Sequence, residues 1–181
     1  MERFKDINIM TLTTSPVRLV SKVWMLVTAG TADSFNSMTA SWGGMGFIWQ
    51  CPAAFIFVRP QRYTLEFIER EQSFTLSFFD HDRYRAALNL MGGKSGRDMN
   101  KANEAGLTPL VLPSGRVAYG EAQYIIECKT MYSDRLKPEN FIDDTIPARI
   151  YPKNDFHRTF IAEITRTLQN KEAVPLFRDG D

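Results

Sequence analysis

Ala53-Ala54-Phe55-Ile56-Phe57-Val58-Arg59-Pro60 is followed by Gln61-Arg62-Tyr63-Thr64-Leu65-Glu66-Phe67-Ile68-Glu69-Arg70, and then by Ser73-Phe74-Thr75-Leu76-Ser77-Phe78-Phe79. The first run is short, continuously apolar and closed by Arg59-Pro60, which predicts a strand buried on both sides. The second predicts a short helix over 63–70, with Leu65 and Ile68 on one face. The third alternates, Phe74, Leu76 and Phe78 sharing one side, and predicts another strand.

Outward from this core, residues 17–29 predict a strand ending at Gly30, and the polar stretch 31–36 a hairpin connection. Residues 37–42 resume as a strand, which Gly43-Gly44-Met45-Gly46 should break or bend. Residues 81–91 and 98–105 predict helices, the second stopped by Gly106. The last long strands fall at 117–131, with Gly120 a candidate bulge, and at 158–168. Strands dominate, and the few short helices lie in the connections. That pattern implies a mainly β fold, an antiparallel barrel with helical additions, and the lack of regular βαβ alternation argues against a Rossmann domain.

The chain has 181 residues and no repeat or Pro/Ser-rich linker, so one domain over 1–181 is expected, large enough to need no disulfides. Its 22 Lys+Arg against 21 Asp+Glu leave a net charge of +1, so no whole-molecule field favours nucleic acid or anionic membrane, and any anion site must be local. Cys51 and Cys128 stand far apart, which favours a reducing compartment. Residues 1–6 lack a signal peptide's apolar stretch, and no segment approaches the ~18 apolar residues of a membrane span. A cytoplasmic setting is the expectation.

Three familiar signatures fail. Gly93-Lys94-Ser95 ends like a P-loop, but Leu88 occupies the first glycine position. Gly44-Met45-Gly46 begins like a dinucleotide fingerprint, but Trp49 replaces the third glycine. A nucleophile elbow would need glycine at Arg97. The two histidines, His81 and His157, have no second ligand at metal-binding spacing, so no metal is expected.

Three segments survive. Asn36-Ser37-Met38-Thr39-Ala40-Ser41-Trp42 puts small residues where a flat ring could lie against the backbone, although taken alone an ordinary strand with a polar face is the favoured reading. Arg59-Pro60-Gln61-Arg62-Tyr63-Thr64 sets two arginines and a hydroxyl at a helix amino end, a phosphate site or a capped surface helix. Gly92-Gly93-Lys94-Ser95-Gly96-Arg97-Asp98 is a nest of N–H groups with added charge, or a flexible turn with Asp98 capping the next helix. Together they suit a phosphorylated flat cofactor.

These runs, with Trp24-Met25-Leu26-Val27-Thr28-Ala29-Gly30, Ala105-Gly106-Leu107-Thr108-Pro109 and residues 157–164, resemble the flavin reductase-like family, nearest its flavoredoxin-like branch. They occur in family order over nearly the whole chain. The resemblance implies an FMN-binding split β-barrel that works as a homodimer, each flavin site near the subunit interface. It places Met38, Thr39, Ala40, Ser41 and Trp42 along the isoalloxazine and Arg59, Arg62 and Thr64 near the ribityl-phosphate. Lys94, Ser95 and Arg97 would clamp the phosphate, and His157 would lie on the nicotinamide side, with no acid–base catalyst required. Relatives often carry Cys where Met91 stands, so a thiol role there is not expected. The implied activity is hydride transfer from NAD(P)H to flavin, with free flavin, a redox protein or oxygen as acceptor. The competing functions are a flavoredoxin-like electron carrier between proteins without NAD(P)H turnover, and an FMN-binding module without turnover.

Overall fold

The computed structural model describes residues 2–173 and Leu176, so the outermost ends of the expected domain lie outside the described residues. The chain opens with strand β1 (Phe4–Ile7), a helical turn α1 (Pro16–Arg18) that widens into a π-turn over Leu19–Val23, and then the hairpin β2 (Met25–Thr31) and β3 (Ser34–Ala40). A second hairpin, β4 (Gly43–Ile48) and β5 (Cys51–Val58), leads through helix α2 (Thr64–Glu71) into β6 (Ser73–Phe78). Helices α3 (His81–Gly93) and α4 (Lys101–Glu104) precede the small hairpin β7 (Pro109–Val111) and β8 (Val117–Tyr119). The chain then runs through β9 (Tyr124–Arg135), a helical excursion with α5 (Thr145–Ile150), and β10 (Arg158–Asn170).

The main sheet is ordered β3-β2-β6-β9-β10-β5-β4, with neighbours antiparallel. β10 is long enough to pair with β5 at its start and with β1 at its end. The two sheet edges, β3 and β4, are joined only by Ser41-Trp42. Three Cα–Cα steps cover at most about 11 Å, so the sheet must curl until its edges nearly meet. The result is a split barrel, mainly β with short helices in the connections, as the sequence implies.

Period-two alternation sends Met25, Val27 and Ala29 of β2, Phe74, Leu76 and Phe78 of β6, and Phe160, Ala162 and Ile164 of β10 into the barrel, where α2 adds Leu65, Phe67 and Ile68. The outer face packs Leu26, Ile125 and Leu168 against Leu88 and Met91 of α3 and Tyr119 of β8. The two layers fix α3 and the loop after it against β3.

Several expectations need correction. The strand predicted from residue 17 begins only at Met25. Pro16 suits a first helical turn, and Leu19, Val20 and Val23 bury one face of the helical segment that follows. The glycines at 43–46 do not break a strand; they make one. A Cβ at Gly43 would run into the Phe55 carbonyl oxygen, and the Phe55 ring lies 3.3 Å from where a Cβ of Gly46 would be, so glycine lets β4 close onto β5. Trp49 and Gln50, both at positive φ, turn that hairpin. Gly120 is not a bulge: its N–H donates to the Thr108 carbonyl (3.0 Å), and the predicted strand at 117–131 is cut there into β8 and β9. The ladder irregularities fall instead between β9 and β10. Asn100, not Asp98, caps α4, which begins three residues later than expected. β5 is buried on both sides only in part, because Phe55 and Phe57 remain half-buried.

Candidate functional site

β3 ends beside the β3–β4 corner, and β5 ends next to the start of β10 through the pairs Arg158↔Val58 and Thr159↔Phe57. This register carries His157 to Arg59 and brings both to the corner. A cavity of about 260 Å³ opens there, lined by Met38, Thr39, Ala40, Ser41, Trp42, Phe57, Arg59, Arg62 and His157. Trp42 is partly exposed, and its ring lies 5.1 Å from that of His157. Thr39 donates its hydroxyl proton to the Leu88 carbonyl (2.6 Å), pinning β3 to α3.

A second cavity of about 370 Å³ shares Met38, Arg59 and Arg62 with the first and continues to Thr64, Lys94, Ser95, Gly96 and Lys101. No side chain caps the amino end of α2, so its positive pole faces this space. Thr64, fully buried, accepts a hydrogen bond from Asn36 Nδ2 (2.7 Å), which ties α2 to β3. Gly96 passes so close to Asn36 that a Cβ would collide with the amide oxygen; glycine lets the loop lie against the strand. Arg62 donates to the Gly92 carbonyl, holding the other end of the same loop.

Lys101 was not among the sequence-derived candidates. It is buried, and its ammonium donates to the carbonyls of Ser37 (2.5 Å) and Met91 (3.0 Å). Burial, reinforced by the Arg62 charge, brings its pKa down to about 8. Its place on α4 carries no local signal, because only the folding of α4 against β3 sets it in the cavity floor.

Arg59 is anchored from outside the cavity. It pairs with the Asp155 carboxylate, donates to the Ile150 carbonyl (3.0 Å) and sits 5.2 Å from the centre of the Tyr151 ring. Hydrogen bonds from Gln61 and Arg59 hold the Asp155 carboxyl below its usual range. Arg97 is the one carried-over residue that lines neither cavity. It pairs with Glu66, lies 4.4 Å over the Tyr63 ring, and borders a third cavity of about 510 Å³ behind the loop.

His157 is buried, and desolvation followed by the Arg59 charge lowers its pKa to about 4, Arg62 adding to the effect against Asp155. Above pH ~6.5 both folded and unfolded chains carry neutral imidazole; between 6.5 and 4 the unfolded chain binds a proton that the fold refuses. Stability is therefore expected to fall as pH drops across that window, by up to about 3 kcal/mol from this residue. Urea unfolding at pH 7 and pH 4.5 checks it: His157→Gln should shrink the difference between the two pH values, and an undiminished difference would contradict the assignment.

No curated protein matches the chain in sequence. Among solved structures, flavoredoxin of Desulfovibrio vulgaris (Miyazaki F) is similar at 22% identity and TM-score 0.65, over 94% of this chain and 80% of that one. The FMN-binding domain of a flavin reductases-like enzyme from Shewanella baltica OS155 is similar at 15% identity and TM-score 0.64, over 92% and 77%. An NADH:FAD oxidoreductase of Streptomyces globisporus C-1027 is similar at 14% identity and TM-score 0.62, over 81% and 74%. These likenesses concern the fold. The family model described as the flavin reductase like domain matches residues 17–180, nearly the whole chain, and the protein therefore belongs to the flavin reductase-like family.

Proposed function

We propose that this protein binds FMN across the two adjacent cavities and works as a flavin oxidoreductase, taking hydride from NAD(P)H. The observation that carries the proposal is a ring-sized space over residues 38–42 lying next to a cationic space at the amino end of α2, the two sharing Met38, Arg59 and Arg62. The residues present fit a phosphorylated planar group. Arg62, Lys94 and Lys101 supply charge, Ser95 a hydroxyl, and Gly96 close backbone approach, all facing an uncapped helix pole. At the other end, Thr39, Ala40 and Ser41 are small enough for a ring to lie along the strand, with Trp42 and His157 as the outer wall.

Bound FMN would supply the two-electron chemistry, which is why the site needs no acid–base dyad. The chain's part is to hold the cofactor, order the nicotinamide beside it and exclude water. The same proposal covers the single domain, a cytoplasmic setting, a homodimer and a small-molecule or redox-protein acceptor. Trp49 and Tyr132 are exposed with ring centroids 6.5 Å apart, and Phe47 and Met131 are exposed as well, apolar surface that supports self-association. No helix among the described residues is long and apolar enough to cross a membrane.

Stopped-flow absorbance tests the activity. Mixing flavin-loaded protein with NADH or NADPH should bleach the flavin band. Flavin that stays oxidised with both nucleotides, yet is reduced by a protein donor, would replace the enzyme with an electron carrier.

Lys101 gives a second check. A phosphate anion beside it favours the ammonium form, whereas free Lys101 loses its proton through about pH 8. FMN binding should then take up a proton above pH 8, and affinity should fall by up to roughly tenfold per pH unit. Dissociation constants at pH 7 and 9.5 measure this. Lys101→Met should flatten the dependence, and equal slopes in both proteins would remove Lys101 from the phosphate site.

A further inference from the structure

Between β9 and β10 the chain leaves the sheet for about twenty residues and returns where the Leu136 N–H donates to the His157 carbonyl at 2.9 Å. This excursion brings Tyr151 against the ring end of the site. Tyr151 is buried, stacks on Phe156 with ring centroids 4.6 Å apart, and lies beside the Arg59 guanidinium. Its phenol oxygen is 2.8 Å from Nδ1 of His157. A phenol O–H is far more acidic than a neutral imidazole N–H, so the phenol donates and Nδ1 accepts. The imidazole proton then resides on Nε2. That nitrogen takes no part in the Tyr151 contact, and His157 lines the cavity that holds Trp42.

We propose that Tyr151 is a positioning residue, fixing His157 as the neutral Nε2–H tautomer so that this N–H is presented to the cavity as a donor to an amide-type carbonyl oxygen. The charged and titratable neighbours agree with this assignment. Arg59 and Arg62 oppose a second proton on His157, Asp155 is already engaged by Gln61 and Arg59, and burial keeps the Tyr151 phenol protonated. That the oxygen belongs to the carboxamide of a reduced nicotinamide rests on the function proposed above; the tautomer does not.

The chain has only two histidines, so long-range 15N–1H correlation on the full-length, ¹⁵N-histidine-labelled protein resolves both rings, with His81→Gln assigning them. His157 should show a protonated Nε2 and an accepting Nδ1, unchanged from pH 8 to pH 5. In Tyr151→Phe the Nδ1 resonance should shift, both tautomers should appear, and the protonation midpoint should move up. If reduced nicotinamide binds, its KM should rise about five- to tenfold in Tyr151→Phe, with flavin affinity unchanged. In His157→Gln, whose amide N–H stands near the Nε2 position, adding Tyr151→Phe should raise KM no further. A protonated Nδ1 in the wild type, or an unaltered His157 spectrum in Tyr151→Phe, overturns the proposal. A locked tautomer in a protein inert to both nucleotides upholds the positioning role and overturns only the hydride-transfer function.

Discussion

Arg62→Ala is expected to weaken FMN binding by roughly 10- to 150-fold, the loss of a charge-assisted contact of about 1.5–3 kcal/mol. Arg62 belongs to both cavities, so its guanidinium stands where the proposed ring end would meet the proposed phosphate end. It also grips the loop through the Gly92 carbonyl, and its charge helps depress the Lys101 pKa. Alanine removes the first two effects and relieves the third, which leaves Lys101 more fully charged and partly offsets the loss. Arg62→Lys should recover only part of the affinity, because it keeps the charge and gives up the planar fork. Arg97→Ala, by contrast, should change affinity little, since that side chain spends its charge on Glu66 outside both cavities. Fluorescence titration of the three variants decides the order. An Arg62→Ala affinity within twofold of wild type would show that the phosphate lies elsewhere.

The second large effect concerns the corner that closes the barrel. Gly43 has a φ of +146°, a conformation that costs other residues about 1–3 kcal/mol, and a Cβ there would meet the carbonyl oxygen of Phe55. Backbone cannot swing aside as a side chain can. Gly43→Ala should therefore cost about 3 kcal/mol or more in all and lower Tm by roughly 6–12 °C. Because Gly43 follows Trp42 directly, the ring end of the site should loosen with it. Gly44 is the control: a Cβ there meets nothing within 4 Å, so Gly44→Ala should unfold close to wild type. Thermal melts followed by circular dichroism measure both, and a Gly43→Ala melt within 2 °C of wild type would contradict this account of the corner.

What was legible in the sequence is what local chemistry decides. Ser73–Phe78 alternates because one side enters the barrel, and the alternation is visible in a window of six residues. The helix after Arg59-Pro60 and the stop at Gly106, which has φ +64°, are equally local. The glycines at 43–46 misled because their reason is a neighbour, the Phe55 strand, that only pairing reveals. Residues 17–23 misled because an apolar helical turn and a buried strand share a composition at that length.

The site divides the same way. The residue types at Arg62, Lys94 and Ser95 suit an anion, and the fold gathers them in one cavity. Lys101 and Tyr151 gave no such signal. The first matters through contacts with Ser37 and Met91, the second through His157 at the far end of an excursion whose course no pattern in residues 136–157 foretold. Arg97, a basic residue of the same loop, pairs with Glu66 thirty-one positions back, a contact that no local pattern signals.

The most direct test is a crystal structure of the protein grown with FMN. Phosphorus density is expected between Arg62, Lys94, Ser95 and Lys101, with the three-ring system along residues 38–42 beneath Trp42 and His157. Flavin bound elsewhere, or a phosphate seated beside Arg97 with the Lys101 cavity filled by the protein's own side chains, would contradict the account.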